Sequence, residues 1–385
     1  MKHSILFFSS LVGCTLLTSC FKDEPLNAEC DIEKAFVHQD TPEDVFPQIT
    51  DTLVNVMSDA TDIMFNIKPS ADVSKMAPQF VLTPGATISP ESGTEFDFSD
   101  GKKVQYVVTS QDKSWSRTYN VSFGMSEMPT SFHFENVENF TVNEVPKYHV
   151  WYDLSANGKK LYTWATGNAG YKIPFENAKP EEYPSVSVDD GNGPLAQKSG
   201  KYVKLTTRST GSFGAMVNRR LAAGNLFIGT FDVSKALSNT LLTTRFGLPF
   251  SKRPLRFTGW YKYAAGPDFQ VKNGSIVPGR IDKAAIYAVM YKNHDADGNS
   301  FVLNGYDVKT NSNIVAIADL GEIGDTPQWT HFDVAFNFSA PINDALLQQN
   351  GYSIAIVASS SVMGDQFEGA VGSTLCVDEF ELVCE

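Results

Sequence analysis

The chain has 385 residues, 42% apolar, 12% aromatic and 19% charged, enough for more than one buried core. Thirty-one basic residues against 44 acidic ones leave a formal charge of −13, which argues against a duplex nucleic-acid binder and leaves neutral ligands such as glycans open. Plentiful aromatics, 28 Gly and 19 Pro favour strands and turns over long charged helices, and the apolar content argues against wholesale disorder.

The first twenty residues, MKHSILFFSSLVGCTLLTSC, read as an address. Lys2 precedes an uncharged apolar run from Ile5 to Leu17, and small and polar residues close it. The run is too short and wrongly flanked for a membrane span and fits a secretory signal over residues 1–19. Leu17-Thr18-Ser19-Cys20 has the form of a bacterial lipobox, in which the cysteine thiol takes a diacylglycerol and becomes the mature first residue. Leu11-Val12-Gly13-Cys14 has the same form, but cleavage before Cys14 would leave Leu16-Leu17 beyond the anchor, so Cys20 is preferred. An ordinary cleaved signal is the alternative. Loss of residues 1–19 removes Lys2, and the mature charge becomes 30 minus 44, or −14. No later segment reaches 18 apolar residues, so lipid is the expected membrane attachment.

Residues 20–36 are polar and mixed in charge and read as a lipidated tether. Residues 37–123 then carry short strand-like runs, Ile63–Ile67, Val104–Val108 and Thr118–Phe123, separated by turn material such as TPGATISPESG and SDGKK. Strands at this spacing predict a small immunoglobulin-like sandwich, expected to act as a spacer. GMSEMPT, residues 124–130, is the expected hinge. The second unit, 131–385, offers strand candidates at Tyr202–Thr206, Leu255–Tyr263, Ala284–Tyr291, Ile314–Asp319, Trp329–Phe336, Tyr352–Ala358 and Thr374–Cys384. One short helix is expected at Asp344–Gln349. There is no βαβ alternation and no glycine-rich nucleotide loop, so the predicted fold class is all-β, with a larger jelly-roll β-sandwich after the immunoglobulin-like one.

In the last strand Val377 and Phe380 both look inward-facing although two residues stand between them, which predicts a bulge at Asp378-Glu379. Cys376 and Cys384 then lie roughly 26 Å apart along one strand, beyond disulfide reach. Pairing of Cys30 with one of them stays open, and buried free thiols are the preferred reading.

Candidate ligand contacts come from aromatic rings that could stack on sugar faces beside groups that hydrogen-bond hydroxyls. Trp164, followed by Gly167-Asn168-Ala169-Gly170, stands in a glycine-flanked loop and is harder to explain as core; Trp164 and Asn168 are candidates, as are Trp151 and Tyr152. In Trp260–Tyr263 one face must be core, so Lys262 or Tyr263 could line a concave sheet. Trp329, after Thr326-Pro327-Gln328, reads as core packing. Asp295, Asp297 and Asn299, with Gly298 for the turn, resemble the opening of a structural calcium loop; position 12 of a full loop is Tyr306 rather than glutamate, and a polar turn explains the same residues. No cofactor is required by any motif. Glu135, Glu138, Asp153, Glu322, Asp333 and Glu368 are all eligible for the carboxylate pair of a glycoside hydrolase, so none is singled out. There is no HExxH spacing and no GxSxG elbow.

Phe21-Lys22-Asp23-Glu24 resembles the surface-export signal of Bacteroidetes lipoproteins, which implies the exterior of the outer membrane, with the periplasm-facing leaflet as the alternative. ISPESGTEFDFSD and the following VQYVVTSQDKSWSRTYNVSF resemble a small sandwich module near the N-terminus of such proteins. The second unit resembles the "putative carbohydrate metabolism domain" at the C-terminus of Bacteroidetes lipoproteins. The likeness rests on Phe132-His133-Phe134-Glu135-Asn136, Trp151-Tyr152, Trp164–Asn168, Thr258–Tyr263, Ala285–Lys292, Trp329–Phe332 and Leu375–Leu382. The resemblance implies a role in carbohydrate metabolism and carries no established catalytic set; with the aromatic candidates above, the preferred reading is a surface lipoprotein that captures an oligo- or polysaccharide without cleaving it, beside components of a polysaccharide-uptake complex. A glycoside hydrolase and an adhesin or structural surface protein are the alternatives.

Overall fold

The computed structural model describes residues 25–46, 49–68, 71–124, 128–154, 160–195, 200–295 and 298–385. The signal segment, the lipidation reading at Cys20 and the proposed metal ligand Asp297 lie outside them. Regular structure is almost entirely β-strand, and the α-helices run to six residues at most among the described residues. None of these helices is long and apolar enough to cross a membrane. The chain divides into two units, Met1–Met125 and Ser126–Glu385.

In the first unit, Ile32–Phe36 pairs with Leu53–Asn55 on one side and Gln79–Leu82 on the other. A second sheet runs in the order Asp62–Asn66, Ser116–Gly124, Lys103–Thr109 and Thr87–Ser89, its first pair parallel. Ile32, Ala35, Phe65, Tyr106, Tyr119 and Val121 from both sheets share one core. Folded structure therefore begins inside the segment read as tether: Ile32 and Ala35 are buried while Glu33 and Lys34 face solvent. Those two charges hide the strand from a reading of composition.

Two antiparallel sheets build the second unit. The larger follows the path Leu303–Asn304, Thr244–Phe246, Asn225–Phe231, Tyr352–Ser359, Ala284–Lys292, Ile314–Ile323 and Asn337–Phe338, and curls into a half-barrel that does not close. The smaller follows Ser185–Asp189, Lys201–Thr206, Thr374–Cys384, Pro254–Ala264 and Thr326–Ala335, with Ser131–Phe132 added to Thr374–Cys384. Ile286, Ala288, Met290, Ile354 and Ile356 of the larger sheet meet Phe257, Tyr263, Val203, Val377 and Phe380 of the smaller in one core.

The two sheets differ on their other faces. The near-continuous apolar run AAIYAVMY in Ala284–Lys292 buries both its faces, because Tyr287, Val289 and Tyr291 lie under a second cluster with Phe246, Phe301 and Leu303. Strands buried on both sides lose the alternation that marks half-exposed ones. The Pro254–Ala264 strand alternates instead, with Phe257 and Tyr263 in the core and Arg256, Trp260 and Lys262 outside it. This leaves the outer face of the smaller sheet polar and aromatic.

The last strand does bulge, one residue beyond the expected Asp378-Glu379, because Asp378 keeps its pairing with Trp260. Thr258 pairs with Glu381 and Trp260 with Asp378, so two residues, Glu379 and Phe380, oppose Gly259. Glu379 takes a left-handed φ of 51°, which turns Phe380 back into the core. A Cβ on Gly259 would approach Phe380 to 2.5 Å and Phe332 to 2.9 Å. Gly259→Ala is therefore expected to destabilise the unit by about 1–2 kcal/mol through overpacking, read as a lower midpoint in denaturant; an unchanged midpoint contradicts this packing account. Cys30, Cys376 and Cys384 are free thiols.

Candidate functional site

Strand register assembles the site. Trp260 stands opposite Asp378 on one neighbour and His331 on the other, and its ring meets the His331 imidazole at 5.1 Å. One row along, Cys376 stands between Lys204 and Lys262. The Lys262 ammonium lies 5.1 Å from the Tyr202 ring centroid and 4.8 Å from that of Trp329, and the two rings meet edge to face at 5.4 Å. Trp329 Nε1 donates to the carbonyl of Asn192 at 2.6 Å, and the Tyr202 hydroxyl donates to Asp190 at 3.2 Å, so both rings are held at their polar ends. Arg256 donates to Asp333 at 2.6 Å on the same face, and this partner holds the Asp333 carboxyl below its usual range.

Trp260, Lys262 and Trp329 are half-buried and His331 is exposed. Half-exposed indoles fixed beside an ammonium, a guanidinium and an imidazole offer stacking surface and hydroxyl partners together. Burial pushes the Cys376 thiol up to about 11, which makes it an inert part of the floor.

An acidic group borders this face. Asp378 is fully buried, and burial first, then the Glu379 and Glu135 charges, push its carboxyl up to about 8. Glu379 is hydrogen-bonded to His133 Nδ1 at 2.8 Å. The polar residues of the His133–Glu135 segment thus gather beside the last strand, while its apolar residues Phe132 and Phe134 pack on Trp164 at 5.0 and 5.1 Å.

Most of the sequence candidates lie elsewhere. Trp164 and Trp151 are 4% and 1% exposed and belong to the main core, so neither presents a face for a sugar. Asn168 is buried and pairs with the Ser185 backbone, Nδ2 donating to its carbonyl at 2.8 Å and Oδ1 accepting from its amide at 3.1 Å. Its amide closes a loop rather than reading a hydroxyl. Tyr263 is 1% exposed, on the core side of its strand. Tyr152 is half-buried, with Lys160 4.4 Å above its ring. Of the six candidates, Lys262 stands on the outer sheet face.

Trp329, expected in the core, stands on that face instead, and Trp260, Tyr202 and His331 were not singled out. The available signal was alternation: Arg256, Trp260 and Lys262 share one parity and Phe257, Tyr261 and Tyr263 the other. At Asp295–Asn299 the proposed ligands bond one another, with the Asn299 amide and Nδ2 donating to Asp295 at 2.9 and 3.1 Å. Among the described residues, no three His, Cys, Asp or Glu side chains converge on one metal position.

A family model described as "Putative carbohydrate metabolism domain" matches residues 133–383, and one described as "SGBP, N-terminal" matches residues 46–122. A solved structure described as a "putative glycoside hydrolase" from Bacteroides thetaiotaomicron VPI-5482 is 37% identical, with 94% of this chain and 99% of that one covered and a TM-score of 0.65. Another, given the same description, from Bacteroides vulgatus ATCC 8482, is also 37% identical, with 68% of this chain and 100% of that one covered and a TM-score of 0.61. No curated protein matches the chain.

Proposed function

The chain belongs to the family of the "Putative carbohydrate metabolism domain", with an "SGBP, N-terminal" domain before it, and on that premise we propose that it captures an oligo- or polysaccharide at a bacterial cell surface. The observation that carries this reading is the outer face of the smaller sheet, where Trp260 and Trp329 are half-exposed and Lys262 lies between Tyr202 and Trp329. Sugar rings would stack on the indoles, and Lys262, His331 and Arg256 would meet the hydroxyls. The second unit is read as a jelly roll and the first as an immunoglobulin-like spacer. Cys20 would carry the lipid that holds both on the outer membrane, beside components of a polysaccharide-uptake complex.

Hydrolysis is the second reading, favoured by the descriptions of the two related structures and by the elevated Asp378 carboxyl. Asp378 has no exposed surface, however, and a general acid must reach the glycosidic oxygen. Capture without cleavage is therefore preferred.

A glycan array on the mature chain tests this reading, followed by calorimetry on whichever glycan binds. Trp260→Ala and Trp329→Ala are each expected to weaken binding about tenfold, equivalent to about 1.4 kcal/mol. Trp115→Ala, which truncates a 65% exposed indole of the first unit, is expected to leave the affinity unchanged. A flat array removes the capture reading; loss with Trp115→Ala alone moves it to the first unit. New reducing ends in the bound glycan would select the hydrolase reading instead.

A further inference from the structure

Several basic side chains of the second unit are held by acids: Lys160 by Glu138, Arg253 by Asp344, Arg256 by Asp333 and Lys309 by Asp319. Arg219, Arg220, Lys272 and Arg280 are not. Among the described residues none of these four forms an ion pair. Acids outnumber bases 44 to 31 in this chain, so a shortage of carboxylates does not explain it.

Strand pairing brings the four together. Phe269 and Gln270 pair with Ala370 and Gly369, which sets the 271–280 loop beside Phe367. The Arg219 guanidinium lies 5.8 Å from the Phe367 ring centroid, and the Lys272 ammonium 5.9 Å from it. Arg220 rests on the turn that follows Lys272. A Cβ on Gly274 would meet its Cδ at 2.7 Å and its Nε at 3.0 Å. Arg280 lies 3.9 Å over the Phe269 ring, and its Nη2 stands 2.7 Å from the Met363 sulfur, a weak acceptor. Phe367 has a left-handed φ of 59°, which a bulky residue keeps only where its surroundings impose it.

The cations are left short of acceptors. Arg219 donates to the Leu237 carbonyl at 3.1 Å, while Nε of Arg220 is buried with no hydrogen-bond partner among the described residues. Glu368, Asp365 and Asp268 are the acids of these segments. Glu368 accepts from the Lys272 backbone amide at 3.5 Å, and none of the three caps a guanidinium or the ammonium. Cations gathered around one ring repel one another, and a bound anion removes that cost.

We infer that Arg219, Arg220, Lys272 and Arg280 around Phe367 form a second glycan contact, which takes a carboxylate or sulfate carried by an acidic polysaccharide. This assignment rests on the capture reading above and adds to it the class of glycan captured. Guanidinium forks meet such oxyanions bidentately. The half-buried Phe367 ring offers an apolar contact to the sugar that bears the charge.

The test uses the mature chain and two matched pairs of polymers: polygalacturonate against its methyl ester, and dextran sulfate against dextran. By calorimetry, the charged member of at least one pair is expected to bind about tenfold more tightly than its neutral partner. Preference in the first pair alone assigns carboxylate, and in the second alone sulfate. Raising the salt from about 50 to about 500 mM is expected to remove the preference by screening. Arg219→Gln combined with Lys272→Gln is expected to weaken binding of the charged polymer about tenfold. Lys34→Gln, the same charge loss at an exposed position of the first unit, leaves it unchanged. Should the double variant fail to fold, Arg280→Gln, at an exposed position, carries the test with an expected loss of about threefold. No preference in either pair overturns the inference, as does a preference that survives these substitutions. Binding that depends on Trp260 but not on polymer charge keeps the outer sheet face and removes this contact; a charge preference with no dependence on Trp260 does the reverse.

Discussion

Replacing Trp164 with alanine is expected to destabilise the second unit by about 3–5 kcal/mol and to leave the glycan affinity of the folded protein unchanged. The indole is 4% exposed. It meets Phe132 and Phe134 edge-on at 5.0 and 5.1 Å, and Phe380 at 6.3 Å. These rings come from the opening segment, the short Trp164–Ala165 strand and the last strand, so one side chain ties together three segments distant in the chain. Its truncation removes transfer free energy and leaves a cavity between rings that cannot all relax into it. Denaturant unfolding of the second unit, followed by fluorescence, reads the loss directly. A variant with wild-type stability and no glycan binding would return Trp164 to the ligand site.

The case of Trp164 shows where a linear reading stops. Gly167 and Gly170 suggested a flexible loop presenting an aromatic, but both glycines answer to packing. A Cβ on Gly167 would stand 3.1 Å from Asn225 Nδ2, and one on Gly170 3.3 Å from the Phe231 ring. The glycines let the short helix Asn168–Tyr171, with Gly167 as its N-cap, press against the Asn225–Phe231 strand, and Trp164 goes inward with it. Close approach and flexibility demand the same residue, so sequence alone does not separate them.

The bulge was legible for the opposite reason. Val377 and Phe380 are too apolar to sit on solvent-facing positions, and an extra residue between them follows from local parity. The candidate face needed more than parity. Trp260, Tyr202 and Trp329 come from three strands, and their meeting depends on register, which distant pairings set. Trp329 was misread because Pro327 and Gln328 precede it in a strand with one paired neighbour, Pro254–Ala264; an edge strand tolerates proline and can carry an indole on its outer side. At His133 and Glu379 the pairing was invisible in the sequence, because nothing local indicates that residues 246 positions apart meet at 2.8 Å.

Asp153 makes the stability of the second unit depend on pH. Burial pushes its carboxyl from 3.8 to about 6, against the opposing hydrogen bond from Thr163 and the charge of His133. The folded value lies above the unfolded one, so the folded chain holds this proton more tightly. Its contribution is complete below about pH 4, declines as the pH rises through about 6, and stays lost above that. A shift of this size corresponds to about 3 kcal/mol. Other buried acids add slopes of the same sign, so the informative quantity is a difference. Asp153→Asn keeps an oxygen to accept from Thr163 and removes the ionisation. Relative to the parent chain, the variant is expected to gain about 3 kcal/mol between pH 4 and pH 7, measured by denaturant unfolding at each pH. A difference that is flat, or that falls with rising pH, would mean that Asp153 ionises as freely in the folded chain as in the unfolded one. Its place beneath the aromatic core would then have to be more open to water than its burial implies.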